Sequence, residues 1–197
     1  EALRRDGLRL LSVDGDALIA PVHAVAAPGD AGCCDVVLVC VKSYDTLAAA
    51  AALRPAVGEP TMVLSLQNGI ENEELLHGTL GIAPLMGALT HISAELEAPG
   101  VIRHIAGGRL VFGEFDGAPS ARGEALLAAC LAGGIKAELS REIRREIWQK
   151  FVFLVGLSGT TASIRLPIGP IRTNPQTRAF LLDVMREAVA VGRAHGV

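Results

Sequence analysis

The spacing of apolar residues changes twice along this chain, and the changes divide it. From Val36 to Val41 six residues run apolar without interruption, the pattern of a strand buried on both faces of a parallel sheet. An alanine-rich stretch from Asp45 to about Arg54 follows and predicts a helix, ended near Pro55 and Gly58. Thr61 to Leu66 is a second strand-like run, and Asn72 to Leu80 predicts the next helix. Strand, helix, strand, helix in that order specifies right-handed βαβ units and a parallel sheet. Ahead of them, Leu8 to Val13, an Asp14-Gly15 turn and Leu18 to Val25 predict a hairpin. The stretch from Pro84 to Phe115 breaks the rhythm. It predicts several short strands, interrupted at Pro99-Gly100 and Gly107-Gly108, antiparallel and at one edge. Ser120 is placed to cap a helix through Leu131, Gly133 and Gly134 stop it, and Ile135 to Leu139 forms a last short strand.

From Arg141 onward the period becomes that of a helix. Ile143, Ile147, Phe151, Leu154, Val155 and Ser158 share one face at 3.6-residue spacing. Pro167 and Pro170 interrupt, and Asn174-Pro175 starts another helix that runs to about His195-Gly196. The fold class is therefore α/β. A doubly wound, Rossmann-like sheet over residues 1–140 is followed by the start of an all-helical domain over 141–197.

Composition narrows the function classes. Half of the 197 residues are apolar, ample for one core and a second small one. A net charge of −3 gives no basic field for nucleic acid or anionic lipid. The apolar runs are too short to cross a bilayer, and the charged start has no apolar signal core, so a cytoplasmic location is expected. Cys33, Cys34, Cys40 and Cys130 lack CxxC spacing and a nearby His partner; neither disulfides nor a metal site is expected. Cys40 reads as a small hydrophobe within its strand.

Lys42 and Gln67-Asn68-Gly69 stand directly after the two strand-like runs. In doubly wound sheets ligands bind outside the carboxyl ends of the strands, so both elements point at one crevice. Lys42 offers charge to a phosphate or carboxylate, and Asn68 an amide that donates and accepts. The plain alternatives are a solvated loop lysine and a tight turn. Lys150 lies on the flank of the stripe formed by Ile143, Ile147 and Leu154. There it either snorkels or, partly buried, has the lowered pKa of a useful acid. His77, His91, His104 and His195 read as satisfied polar residues. Glu71, Glu73 and Glu74 suit a helix N-terminus. Gly156 to Thr160 superficially has the look of a phosphate loop, but it interrupts a helix where a strand should precede it. The G-x-G-x-x-G of a dinucleotide fold is absent from the chain.

Four segments together carry a family resemblance: Val39-Cys-Val-Lys42-Ser-Tyr-Asp-Thr46, Leu64-Ser-Leu-Gln-Asn-Gly-Ile70, Met86-Gly-Ala-Leu-Thr-His91 and Ile147-Trp-Gln-Lys-Phe151. With Pro99-Gly100-Val101-Ile-Arg-His104 and Gly113-Glu114, their order and spacing resemble the ketopantoate reductase family along essentially the whole chain. The resemblance implies a nicotinamide-binding domain joined to a helical domain, the active site between them, and NADPH as cofactor. Lys42 and Asn68 fall on cofactor-binding positions, with Asn68 also facing substrate. Ser93 falls where a backbone group contacts the cofactor. Lys150 falls on the lysine that protonates the carbonyl oxygen as hydride arrives. On this alignment the sequence begins after the first strand and phosphate loop, lacking the first βαβ unit, and stops within the second domain.

The same alignment shows departures. Family asparagines that bind substrate, one and two helical turns beyond the lysine, correspond here to Leu154 and Ser158, and a third to Ile168. The i+4 and i+8 spacing keeps Leu154 and Ser158 on the face of Lys150, so these positions line the substrate pocket. The expected function is NADPH-dependent reduction of a 2-keto acid, 2-dehydropantoate foremost, with Lys150 as general acid and a homodimer compatible with the family. Two alternatives stay open: a member acting on another keto or hydroxy acid, and a non-catalytic NADP(H)-binding module.

Overall fold

A computed structural model describes residues 1–81 and 85–197. Seven strands and seven helices follow the chain in this order: α1 (Ala2–Asp6), β1 (Leu8–Ser12), β2 (Ala17–Ile19), β3 (Val36–Val39), α2 (Thr46–Leu53), β4 (Met62–Ser65), α3 (Asn72–Leu80), β5 (Leu85–Ala98), β6 (Val101–Gly113), α4 (Ala121–Ala132), β7 (Ala137–Leu139), α5 (Ile143–Ile164), α6 (Ile168–Thr173) and α7 (Pro175–Ala194).

The strands form one sheet in the order β2-β1-β6-β5-β4-β3, with β7 also on β6. β3, β4 and the start of β5 are parallel, in the register Val39↔Ser65 and Leu64↔Met86. Odd and even positions of the strands face opposite layers, as strand geometry requires. Val37, Val39, Val63 and Leu85 pack with Ala50 and Leu76 of α2 and α3. Met62, Leu64, Met86, Ala88 and Phe112 pack on the other side with Leu126, Leu127 and Cys130 of α4. That two-faced layering is the doubly wound arrangement the sequence pattern requires.

Caps fix several helix ends. The Ser120 hydroxyl accepts from the Gly123 amide at 3.1 Å and starts α4. The Asn174 side chain accepts from the Gln176 and Thr177 amides, and Pro175 occupies the first position of α7, where its missing N–H costs nothing. α5 and α7 pack on each other, and α6 bridges them. Gly156 to Thr160 is helical within α5, so it is no phosphate loop.

Four expectations need correction. β3 is covered on one face only: Leu38 on its other face is 49% exposed, because α4 reaches only Val36 there. Cys40 is exposed just past the strand end, although burial of the sulfur still raises its pKa. The second strand of the first hairpin stops at Ile19, since Pro21 has no N–H for a ladder. The region of several short strands is instead one long hairpin, β5 and β6, at the centre of the sheet. Pro99-Gly100 is its turn, whereas Gly107-Gly108 is absorbed as a bulge opposite His91 and Ile92. Pro84, the expected start of this region, lies outside the described residues.

Candidate active site

The parallel register aligns the residues that the sequence singles out. Val39 pairs with Ser65, so Lys42 and Asn68 lie three residues beyond the same rung. Leu64 pairs with Met86, the last rung before β4 ends at Ser65 and the chain turns through Asn68. The carboxyl ends of β3, β4 and the parallel part of β5 thus form a single rim, and Ser93 continues it along β5.

A buried polar network holds this rim. The Gln67 side chain donates to the Val41 carbonyl at 2.9 Å and to the Thr46 hydroxyl at 2.8 Å. The Ser65 hydroxyl donates to the Gln67 side-chain oxygen at 3.2 Å. Thr46 donates in turn to the Ser43 carbonyl at 2.8 Å, with the Asn72 oxygen at 3.2 Å beside it. Asn72 donates from its amide nitrogen to the Asn68 carbonyl at 3.1 Å. Thr46, Ser65, Gln67 and Asn72 are all buried, whereas Lys42 and Asn68 are exposed. Hydrogen bonds that satisfy buried groups at strand ends therefore fix the backbone on which the two exposed side chains stand. Gly69 completes the turn at φ 123°, a conformation that side chains disfavour.

α5 packs on the same sheet. It crosses the α2/α3 side of the sheet where Leu89 and Val111 pack with Ile143 and Ile147. The helix comes close because Gly87 and Gly113 face it: a Cβ at Gly87 would lie 2.9 Å from Ile143 and 3.0 Å from the Phe115 ring, and one at Gly113 would overlap the Ser140 carbonyl. Two helical turns beyond Ile143 stands Lys150, half-buried, and that burial lowers its pKa. Leu154, one turn further, is half-buried. Ser158 is exposed, and its hydroxyl donates to the Leu154 carbonyl at 2.6 Å. Ile168 begins α6 and is half-buried.

Among the remaining histidines, His104 is buried, with Nδ1 2.8 Å from the Ser12 hydroxyl and Nε2 without a partner among the described residues. His77 and His195 are exposed. They line a separate cavity of about 600 Å³ between α3 and the α5/α7 pair, which none of Lys42, Asn68, Ser93 or Lys150 borders.

The network residues Gln67, Thr46 and Asn72 are the contributors that sequence reasoning missed. The available signal was a polar residue, Gln67, ending an apolar strand between Leu66 and Asn68. The donor set suits one end of a nicotinamide dinucleotide: Lys42 for negative charge, Asn68 for an amide, and Gly69 where backbone must be approached. No helix among the described residues is long and apolar enough to cross a membrane.

Comparisons with known proteins agree with this fold. Residues 1–117 match the family model described as ketopantoate reductase PanE/ApbA, and residues 142–197 match that of its C-terminal region. A 2-dehydropantoate 2-reductase from Halobacterium salinarum is 36% identical over 99% of this chain and 64% of its own length. An uncharacterized oxidoreductase, YkpB, of Bacillus subtilis is 30% identical over the whole chain and 65% of its own. The crystal structure of a PanE/ApbA family ketopantoate reductase from Ralstonia eutropha superposes with a TM-score of 0.88 at 35% identity, covering all of this chain and 63% of that one. The chain thus spans somewhat under two thirds of the length of these relatives. It belongs to the ketopantoate reductase PanE/ApbA family.

Proposed function

We propose that the protein reduces a 2-keto acid to a 2-hydroxy acid with NADPH, 2-dehydropantoate being the first substrate to test. The carrying observation is Lys150, a half-buried lysine with a lowered pKa, on the helix whose Ile143 and Ile147 pack against the sheet. A lysine held there is protonated at neutral pH yet gives up its proton more readily than one in water. The nicotinamide, when bound, supplies hydride to the keto carbon. Lys42 and Asn68 hold and orient the cofactor, with Ser93 contributing backbone and Asn68 also touching substrate. Lys150 polarises the ketone oxygen and protonates it as charge develops there, the step where a placed cation lowers the barrier most.

The domain reading goes with this proposal. Residues 1–140 form the dinucleotide-binding part and 141–197 the beginning of the helical part. β3 is the edge strand of the sheet, where a further strand would pair, and exposed Leu38 marks the face on which the helix of a further βαβ unit would pack.

A second reading of the substrate rests on Leu154. An apolar, half-buried side chain one turn beyond Lys150 offers no hydrogen bond, and a polar substrate group left unpaired there costs about 1–3 kcal/mol. Leu154, Ser158 and Ile168 then select a keto acid less polar than 2-dehydropantoate. The test is NADPH oxidation by the full-length protein, followed optically, with 2-dehydropantoate and a panel of aliphatic 2-keto acids. Turnover of 2-dehydropantoate supports the first reading, and turnover of apolar keto acids alone supports the second. Cofactor binding with no turnover on any of them overturns the reductase assignment.

A further inference from the structure

The cavity between α3 and the α5/α7 pair, about 600 Å³, has the size of a small-molecule site and takes no part in the proposed reduction. Its floor is apolar. Ile70, Phe115 and Ile147 border it, and all three belong to the cluster that seats α5 on the sheet. Trp148 of α5 lines one side. Its indole lies against Gly192 of α7, where a Cβ would come within 2.9 Å of the ring, so the absence of a side chain at 192 lets the two helices close on the cavity.

Two opposite charges line this space without meeting. Glu71 and Glu74 are exposed and serve the positive end of α3 from solvent. Glu73 is half-buried, and burial raises its pKa with no neighbouring cation to oppose the shift. On α5, the Arg144 guanidinium lies over the Phe115 ring, 5.7 Å from its centroid. That contact holds the group in place and leaves its N–H donors unspent. Among the described residues neither the Glu73 nor the Arg144 side chain has a hydrogen bond or an ion pair, so they do not satisfy each other. A half-buried carboxylate beside apolar residues is costly until a cation pairs with it.

We propose that this cavity binds an α-amino acid with an apolar side chain: its ammonium pairs with Glu73, its carboxylate with Arg144, and its side chain lies on Ile70, Ile147 and Trp148. A guanidinium fork matches a carboxylate in two parallel hydrogen bonds. An amine alone would leave Arg144 unmatched, an acid alone would leave Glu73 unmatched, and a small polar zwitterion would leave the floor uncovered. None of Lys42, Asn68, Ser93 or Lys150 borders the cavity, so this binding does not depend on the reductase reading.

The test is calorimetric titration of the full-length protein with L-leucine and L-phenylalanine. Two analogues of leucine run beside them: 3-methylbutylamine, which lacks the carboxylate, and 4-methylpentanoate, which lacks the ammonium. At least one amino acid is expected to bind at a single saturable site. Each analogue should bind at least about tenfold more weakly than leucine, near the worth of one hydrogen bond to a charged group. Glu73→Gln and Arg144→Met should each weaken amino-acid binding by a similar factor while the protein without ligand melts as the native one does. Should Glu73→Gln fail to fold, Arg144→Met, which changes an exposed residue, carries the same test. No saturable heat with either amino acid overturns the proposal. So do analogues that bind as tightly as leucine, or an affinity that survives either substitution.

Discussion

The strand-end rim and the α5 helix are held by opposite kinds of force. On the sheet side, Lys42 and Asn68 stand on backbone tied down by the Gln67–Thr46–Asn72 network, a chain of directed hydrogen bonds among buried groups. On the helix side, Lys150 is placed by undirected packing: Ile143 and Ile147 against Leu89 and Val111, and a helix seated on two glycines. On the proposed function the contrast follows the tasks. Groups that bind keep their charge state and gain from a rigid frame. The group that gives up a proton needs its burial more than it needs locked partners, because burial lowers its pKa.

The sharpest way to separate the two is Lys150→Met. It should reduce kcat by about 10²–10⁴-fold, the usual worth of a general acid, and leave cofactor binding intact by fluorescence titration. Removing a half-buried ammonium should also raise stability wherever the folded-state lysine would be charged. A lysine with a depressed folded pKa binds fewer protons folded than unfolded, so its penalty is full at low pH and fades as pH rises through the folded value. In the native protein the basic limb of kcat should accordingly fall below the ordinary lysine pKa. Next in size is Gly87→Val, which forces a Cβ against Ile143 and Phe115. About 3 kcal/mol of stability should be lost by chemical denaturation, with kcat falling and cofactor affinity nearly kept. Smallest is Gln67→Leu. It strands the Val41 carbonyl at about 2 kcal/mol and should raise the KM for NADPH more than it lowers kcat. If Gly87→Val instead weakened NADPH binding as much as Gln67→Leu, the division between rim and helix would be wrong.

Much of this arrangement is written locally and could be read. Asn72–Leu80 is helical where its pattern places it, and Ser120 and Asn174 cap the helices they precede. Lys42 and Asn68 lie at strand ends, where strand direction alone puts them. What escaped was non-local. The Gly107-Gly108 dipeptide has the composition of a break, yet opposite His91 it is a bulge, because the partner strand carries the ladder through. Val36 to Val41 reads as doubly buried, but α4 shields only its first residue. Gln67 shows its importance only when Val41 and Thr46 are brought to it across the sheet.

The glycine pair under α5 also says something about how such a crevice could be retuned. Gly87 and Gly113 act as a spacer of zero thickness, so the gap between α5 and the sheet is set by two side chains that are not there. Any residue in either place is a shim. A single methyl at position 87 would meet both γ carbons of Ile143 at 2.9 Å and lift the helix, and on the proposed function it would open the pocket for a bulkier acyl chain without altering one residue of its lining. A search for size variants confined to Leu154, Ser158 and Ile168 would never find that adjustment.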